Sequence, residues 1–202
     1  MVAHPMMHRS ISSIWPRRAT AVTTRGASGP GFVLLFLLDS DHLAAHGGAQ
    51  AQWLERELAA HASVPVRLAT YHVSLLPGFR LPTTHYSKQG RKHWQPLFDR
   101  YELMAAFENH DHVFKRSHPI RGDRVDPTGT LYLGDGAFGR GPRAVDGPRQ
   151  VHLRRRWYLD RLVSRAHVWR VDVGTDSVIF AGIDEQGKVF GRTAKLIPGS
   201  AP

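Results

Sequence analysis

The 202-residue sequence contains no cysteine, and it is short of acidic residues. The absence of cysteine excludes disulfide bonds and thiolate metal sites. Asp and Glu together number 17 against 27 Lys and Arg, which gives a formal net charge of +10. This balance suits phosphate-bearing substrates, nucleic acids or anionic membrane surfaces, and it also fits a set of solvated basic loops.

Long apolar runs are missing as well. The longest, residues 32–38, falls far short of the about 20 residues that a membrane-spanning helix needs, so we expect no membrane span. The first 30 residues contain no Asp or Glu, and no apolar segment suited to a secretory or twin-arginine signal follows Arg17 and Arg18. We predict a disordered basic tail over residues 1–29 and one domain over residues 30–200, and the sequence assigns no compartment.

Four short apolar segments predict strands of a sheet that is covered on both faces. A helix is predicted over residues 49–60, with Trp53, Leu54 and Leu58 as its buried stripe. The predicted strands are residues 32–38, 65–71, 103–107 and 130–133.

A second helix is predicted after Ser87, a residue type that favours helix N-caps. Apolar residues between Trp94 and Tyr101 have the spacing of one helical face, and Pro96 within them requires a kink or a later start. Alternation after Trp169 predicts antiparallel hairpins, and residues 140–156 are predicted to be the weakest-ordered internal loop. The fold class is therefore α/β (α+β): a mixed β-sheet flanked by helices, with C-terminal antiparallel hairpins.

Histidines follow two of the predicted strands. His72 follows the strand at 65–71, and His110 and His112 follow the strand at 103–107. Because the carboxyl ends of strands in open α/β sheets carry ligand sites, we expect these three imidazoles to lie close together. Neutral imidazole is a common metal ligand, although a chain with 13 histidines also has close pairs by chance.

Neighbouring residues could support such a site. A metal-bound imidazole needs an acceptor for its second nitrogen, and Glu108, Asp111 or a carbonyl oxygen could serve. Gly134, Gly136 and Gly139 are predicted to permit tight turns nearby, and Asp135 is interpreted as structural.

The order of these segments resembles the calcineurin-like metallophosphoesterases, and in particular their purple-acid-phosphatase-like branch. The resemblance covers roughly residues 29–192. The segments that carry it are FVLLFLLDSD (32–41), QAQWLERELA (50–59), RLATYHVSLLPGFR (67–80), GRKHWQPLFDRYEL (90–103), FENHDHVFKRSHP (107–119) and GTLYLGDGAFG (129–139).

The resemblance implies a partial metallophosphoesterase sandwich that hydrolyses small phosphoesters with a water activated by two metal ions (Fe, Zn or Mn). His72 and His110 would bind one ion and His112 the other. The family's earlier ligands, in Asp-x-His, Gly-Asp and Gly-Asn-His motifs, have no counterpart in residues 1–30. We therefore expect residues 30–200 to represent the C-terminal half of the domain, to hold fewer than two tightly bound ions and to be nearly inactive alone.

Further residues have two interpretations each. His85 could donate a proton to a leaving group or contact phosphate, or be an ordinary exposed histidine. Arg91 could attract phosphate or belong to a charged helix face. Asp39 and Asp111 could orient metal ligands, and Asp39 could instead cap a turn. Asn109 stands where many family members have glycine, and Asn tolerates the left-handed backbone that such a turn uses.

Two other functions compete with the phosphoesterase. A non-catalytic remnant or interaction module would have unpaired sheet edges, through which it could self-associate. A basic nucleic-acid-binding protein is less favoured, because the sequence has no RNA-binding aromatic signature and no long basic helix.

Overall fold

The structure, a computed structural model, describes residues 20–26, 29–40, 42–134 and 136–199, with side chains from Val33 onward. It contains twelve strands among these residues. In chain order they are β1 (Thr20–Gly26), β2 (Gly29–Leu37), β3 (Val66–Tyr71), β4 (Ala105–Glu108), β5 (Phe114–Ser117), β6 (Ile120–Arg121), β7 (Arg124–Val125), β8 (Leu131–Gly134), β9 (Leu159–Val163), β10 (Val168–Val173), β11 (Ser177–Ile183) and β12 (Val189–Leu196).

The described residues also form four α-helices and one 3-10 turn. None of these helices has the length and apolar character that crossing a bilayer requires. The helices are α1 (Ala49–Ala60), α2 (His85–His93), α3 (Gln95–Arg100) and α4 (Val151–Arg154), and the 3-10 turn is Pro148–Gln150.

The central sheet is mixed, as the sequence predicts, with the strand order β1-β2-β3-β4-β8-β5-β9. β2, β3, β4 and β8 are mutually parallel, whereas β1, β5 and β9 each pair antiparallel with their neighbours. Strands β10, β11 and β12 form a separate antiparallel sheet, which confirms the predicted hairpins.

Two apolar clusters cover the two faces of the central sheet. Alternate side chains of β2 to β4 point to opposite faces, so each face needs its own covering layer. On one face, Trp53 of α1 and Trp94 and Phe98 of the α2–α3 region pack with Phe36 and Tyr71. The other face packs against the three-stranded sheet through these residues: Val66, Leu68, Ala105, Leu131, Leu133, Val178 and Phe180.

Helix α1 has the predicted bounds and buries the predicted stripe of Trp53, Leu54 and Leu58. The edge of the Trp53 ring meets Phe36 of β2 at a centroid distance of 6.3 Å. Helix α1 thus covers one face of β2, the strand that precedes it.

The second predicted helix is in fact two helices, α2 and α3, which meet at Trp94. Its N-cap is Thr84, not Ser87: the Thr84 hydroxyl accepts from the Ser87 backbone nitrogen at 3.3 Å. Pro96 lies in the first turn of α3, where a missing N–H costs nothing, and this explains the break.

The sequence did not reveal β5 and β9, which form one antiparallel edge of the central sheet. Charged residues interrupt the apolar pattern by which a buried strand is recognised. Lys115, for example, lies within β5 and is 1% exposed. The segment predicted as the weakest-ordered loop, 140–156, contains the 3-10 turn and α4.

Part of the predicted disordered tail belongs to the sheet. Thr20–Gly26 form β1, which pairs antiparallel with β2. The rest of the predicted tail lies outside the described residues, apart from Gly29, which begins β2.

The register of the parallel strands brings the candidate histidines to one edge. Tyr71 of β3 lies beside Glu108 of β4, and Glu108 lies beside Gly134 of β8. Because all three strands end at this level, His72 and His110 leave the sheet side by side.

Candidate functional site

His72 and His110 are in direct contact at the carboxyl ends of β3 and β4. Nδ1 of His110 and Nε2 of His72 are 2.8 Å apart, a hydrogen-bond distance, and the ring centroids are 4.6 Å apart. One imidazole must therefore donate a proton to the other. The central expectation from the sequence, that histidines from these two strands meet, holds for this pair.

His112 lies on the side of this pair that faces the segment after β8. A β-carbon at Gly136 would lie 3.2 Å from Cδ2 of His112 and 3.0 Å from the backbone nitrogen of His110. Gly136 has a φ of 92°, so both the space and the backbone conformation favour glycine there. Gly139 also has a positive φ, whereas Gly134 lies in β8 and gives Lys115 room to approach.

The left-handed backbone of this loop occurs at the histidines themselves and not at Asn109. The φ angles are 71° at His110 and 54° at His112. Asn109 holds the loop differently, because its side-chain nitrogen donates to the carbonyl oxygen of Tyr71 at 2.8 Å. Non-glycine residues with positive φ are uncommon and cluster at functional sites.

Glu108 and Asp111 do not accept from the imidazoles, contrary to the interpretation from the sequence. Their buried carboxylates bind the loop that follows His72. Glu108 accepts from the Tyr71 hydroxyl at 2.8 Å and the Leu75 nitrogen at 2.7 Å, and it forms a buried ion pair with Lys115.

Asp111 holds the end of the same loop. Its carboxylate accepts from the backbone nitrogens of Gly78 at 2.6 Å, Phe79 at 3.0 Å and Arg80 at 3.4 Å. Asp111 therefore sets the loop conformation, and with it the position of the Arg80 side chain. These contacts position the loop, and the predicted role of Asp111 in orienting a metal ligand stays a prediction.

The surroundings keep the histidines neutral. Burial lowers the pKa of His110 to about 4, and the nearby Arg80 and His72 act in the same direction. Burial also lowers the pKa of His72, followed by the influence of His42 and His112. Neutral imidazole is the form that binds metal ions.

A cavity of about 250 Å³ adjoins His110. His85 contributes to its wall together with Arg80, Tyr86, His110 and Asp111. The predicted roles of His85 stay predictions.

Arg91 and Asp39 support loops around the site. Arg91 donates to the carbonyl oxygens of Leu75 at 2.5 Å and Pro82 at 2.7 Å. The carboxylate of Asp39 accepts from the backbone nitrogens of His42 at 2.9 Å and Leu43 at 3.2 Å, so it caps the turn after β2.

The turn that Asp39 caps brings in a histidine that sequence reasoning missed. The His42 ring meets the His72 ring edge-on at a centroid distance of 5.4 Å, and it stacks parallel to Tyr86 at 6.0 Å. Its only signal in the sequence is its position three residues after an aspartate that ends a strand.

The described residues supply only part of the ligands that a metal ion needs. His72 and His110 offer two nitrogens 2.8 Å apart; two ligands of one tetrahedral zinc ion would lie about 3.3 Å apart, given Zn–N bonds of about 2.0–2.1 Å. Among these residues, no group of three or more His, Asp or Glu side chains could hold an ion. They do not form a complete metal site.

No family model matches the chain. Two uncharacterized proteins of Mycobacterium tuberculosis, from strains CDC 1551 and H37Rv, are each 31% identical to it over 84 residues. The match covers 38% of this chain and 15% of each relative, so the chain spans only a small part of their length.

Solved structures share the fold at low sequence identity. Purple acid phosphatase PPD1 from yellow lupin (Lupinus luteus) seeds has a TM-score of 0.66 at 15% identity, covering 88% of this chain and 32% of its own. GAP50, the anchor in the inner membrane complex of Plasmodium, has a TM-score of 0.67 at 10% identity. The match covers 89% of this chain and 54% of GAP50. PhoD has a TM-score of 0.53 at 9% identity, and the match covers 74% of this chain and 32% of PhoD.

These likenesses establish the fold and go no further. The chain has a metallophosphoesterase-like fold, as the sequence predicted. That it represents the C-terminal half of such a domain stays a prediction.

Proposed function

We propose that this chain carries the histidine-bearing part of a phosphoesterase centre that acts on small phosphoesters. The observation that supports it most is the contact between His72 and His110 at adjacent strand ends of a metallophosphoesterase-like fold. Burial favours the neutral form of both rings, which is the form that binds metal ions, and an ion would take the place of the proton that one ring donates to the other.

His72 and His110 are the proposed metal ligands, and His112 is proposed as a ligand of a second ion. Fe, Zn and Mn are the proposed metals, each of which neutralises phosphoryl charge and activates water when bound. Since the described residues lack a third donor to accompany the pair, we expect weak binding and fewer than two tightly held ions. Further donors would come from residues outside the described part or from another polypeptide.

The chain's other residues would handle the phosphoester. The cavity beside His110 has room for the leaving group, and His85 in its wall is the candidate proton donor. Arg80, on the same wall, carries the positive charge that a phosphoryl group needs.

Hydrolysis of p-nitrophenyl phosphate by the purified full chain, with Mn²⁺, Zn²⁺ or Fe added, tests this proposal. We expect slow, metal-dependent hydrolysis that His110→Ala reduces by more than about tenfold, because even residues that only orient metal ligands are worth that much. His152→Ala, at an exposed histidine of α4, serves as the matched control and should retain the rate.

Hydrolysis that is equal in the wild type and His110→Ala would contradict the proposal. So would the absence of any metal-dependent rate. Concentration-dependent oligomers without metal uptake would instead favour a non-catalytic module that self-associates through its sheet edge.

A further inference from the structure

Helix α3 and the turn between β6 and β7 meet through a group of polar side chains. Gln95 and Asp99 lie four residues apart on α3, and therefore on the same side of the helix. The turn consists of Gly122 and Asp123, whose φ angles of 56° and 57° are typical of a tight hairpin turn. None of these residues borders the cavity beside His110.

Two hydrogen bonds fix the positions of these side chains. Nε2 of Gln95 donates to Oδ1 of Asp123 at 2.9 Å, and Oδ2 of Asp99 accepts from the backbone nitrogen of Gly122 at 2.9 Å. A carboxylate can only accept, so the Gln95 amide must use its nitrogen at Asp123. This orientation leaves the amide oxygen available for a different contact.

Three oxygen atoms of this group have no hydrogen-bond partner within the described residues. They are Oε1 of Gln95, Oδ1 of Asp99 and the hydroxyl oxygen of Tyr132, and all three are buried. Gln95 is 4% exposed and Tyr132 is 0% exposed. Burial raises the pKa of Tyr132, as do the charges of Glu108, Asp99 and Asp123, so Tyr132 lies within electrostatic range of the group. Buried oxygen atoms without partners are unfavourable, and a bound cation or hydrogen-bond donor would satisfy them.

The two carboxylates also lack a cation in contact. Burial raises the pKa of Asp99, and the charge of Asp123 acts in the same direction, against the opposing charge of Arg121. In the part of the chain that the structure describes, neither aspartate takes part in an ion pair. The Arg121 guanidinium donates to carbonyl oxygens instead, that of Asp99 at 2.6 Å and that of Thr128 at 3.3 Å.

We propose that Gln95, Asp99 and Asp123 bind a calcium ion between α3 and the β6–β7 turn. Ca²⁺ takes carboxylate and amide oxygens as ligands, and it accepts water and irregular geometry in the rest of its shell. Because only two of these ligands are acidic, water completes the shell and binding is weak, with a dissociation constant of about 1 mM. This oxygen-lined site is chemically distinct from the histidine pair, whose nitrogens suit transition metals.

The competing occupant is a buried water molecule, which would donate to the same oxygen atoms. A water leaves the two carboxylates without a counter-charge, and it gives no response to added calcium. General attraction of cations to the surface does not compete, because the chain has a formal net charge of +10.

Thermal unfolding of the chelator-treated full chain, in CaCl₂ and in KCl of equal ionic strength, tests the inference. We expect about 10 mM Ca²⁺ to raise the Tm by about 4 °C relative to KCl. Asp123→Asn removes a charged ligand and Gln95→Leu an uncharged one, and each should lose most of this shift. Asp126→Asn is the matched control, because it removes the same charge from a neighbouring carboxylate that is bonded to Thr128, and it should keep the shift.

Equal Tm values in CaCl₂ and KCl would overturn the inference and leave water as the occupant. A full shift in either Asp123→Asn or Gln95→Leu would overturn it too, and so would an equal loss in Asp126→Asn. Asp123 is exposed, so its variant is informative even if Gln95→Leu fails to fold.

Discussion

The site edge of the central sheet and the outer sheet β10–β12 are held by different forces. At the site edge, the buried carboxylates of Glu108 and Asp111 bind backbone nitrogens of the loop after His72. The outer sheet packs through apolar side chains such as Val178 and Phe180, both 0% exposed. The chemistry-bearing side thus depends on a few polar contacts that cannot be left unpaired, whereas the other side depends on buried area.

Glu108→Ala should give the largest effect. It leaves Lys115 buried without its anion, which costs about 3–5 kcal/mol of the free energy of unfolding. Urea denaturation measures this loss. The double variant Glu108→Leu/Lys115→Met removes both charges but leaves the Tyr71 hydroxyl and the Leu75 nitrogen without their acceptor, so it should recover only part of the loss. A loss below about 1 kcal/mol for Glu108→Ala would mean that polar contacts do not dominate this side.

Phe180→Ala should reduce the stability by about 3 kcal/mol, because it opens a cavity between the two sheets. The histidine contact should survive, since Phe180 belongs to the opposite apolar cluster. Histidine NMR spectra under native conditions check this separation. A changed signal from His72 or His110 would show that the two sides are coupled.

Thr84→Ala should cost about 1 kcal/mol, the usual value of a helix N-cap. The Thr84 hydroxyl accepts from the Ser87 nitrogen at the start of α2, beside the cavity. Thermal unfolding compares it with Thr83→Ala, which changes an exposed neighbour. Equal stabilities of the two variants would argue against this cap.

Acid should also weaken the site edge, by an amount that solvent screening of the partly exposed His110 ring reduces. The pKa of His110 is about 4 in the folded chain against an ordinary value of 6.5, so the unfolded chain binds this proton more readily. Stability is therefore lost as the pH falls from 6.5 towards about 4. NMR titration measures the His110 pKa, and His110→Gln should flatten the pH dependence of unfolding. Titration near 6.5 would contradict the burial of this ring.

Much of the fold follows from local patterns, whereas several side-chain roles do not. The apolar strands and the α1 stripe have clear periodicity, and they place His72 and His110 at strand ends. β5 was missed because Lys115 breaks its apolar pattern, although a buried partner, Glu108, neutralises it. A partner seven residues away across a turn leaves no periodic signal.

The roles of the carboxylates and of His42 depend on loop conformations. Glu108 and Asp111 accept from backbone nitrogens more than 30 residues earlier in the chain. From side-chain types alone, the neighbouring histidines are the expected hydrogen-bond donors to these two carboxylates. His42 meets His72 from the turn after β2 that Asp39 caps, and no pattern in the sequence shows this contact.

The paired histidines are tested most directly by adding Zn²⁺ to the full chain and following the ¹⁵N signals of the imidazoles. We predict that Nε2 of His72 and Nδ1 of His110, which lie 2.8 Å apart, shift together and that replacing either residue with alanine abolishes both responses. Independent shifts of the two rings, or zinc binding at other histidines alone, would contradict the account.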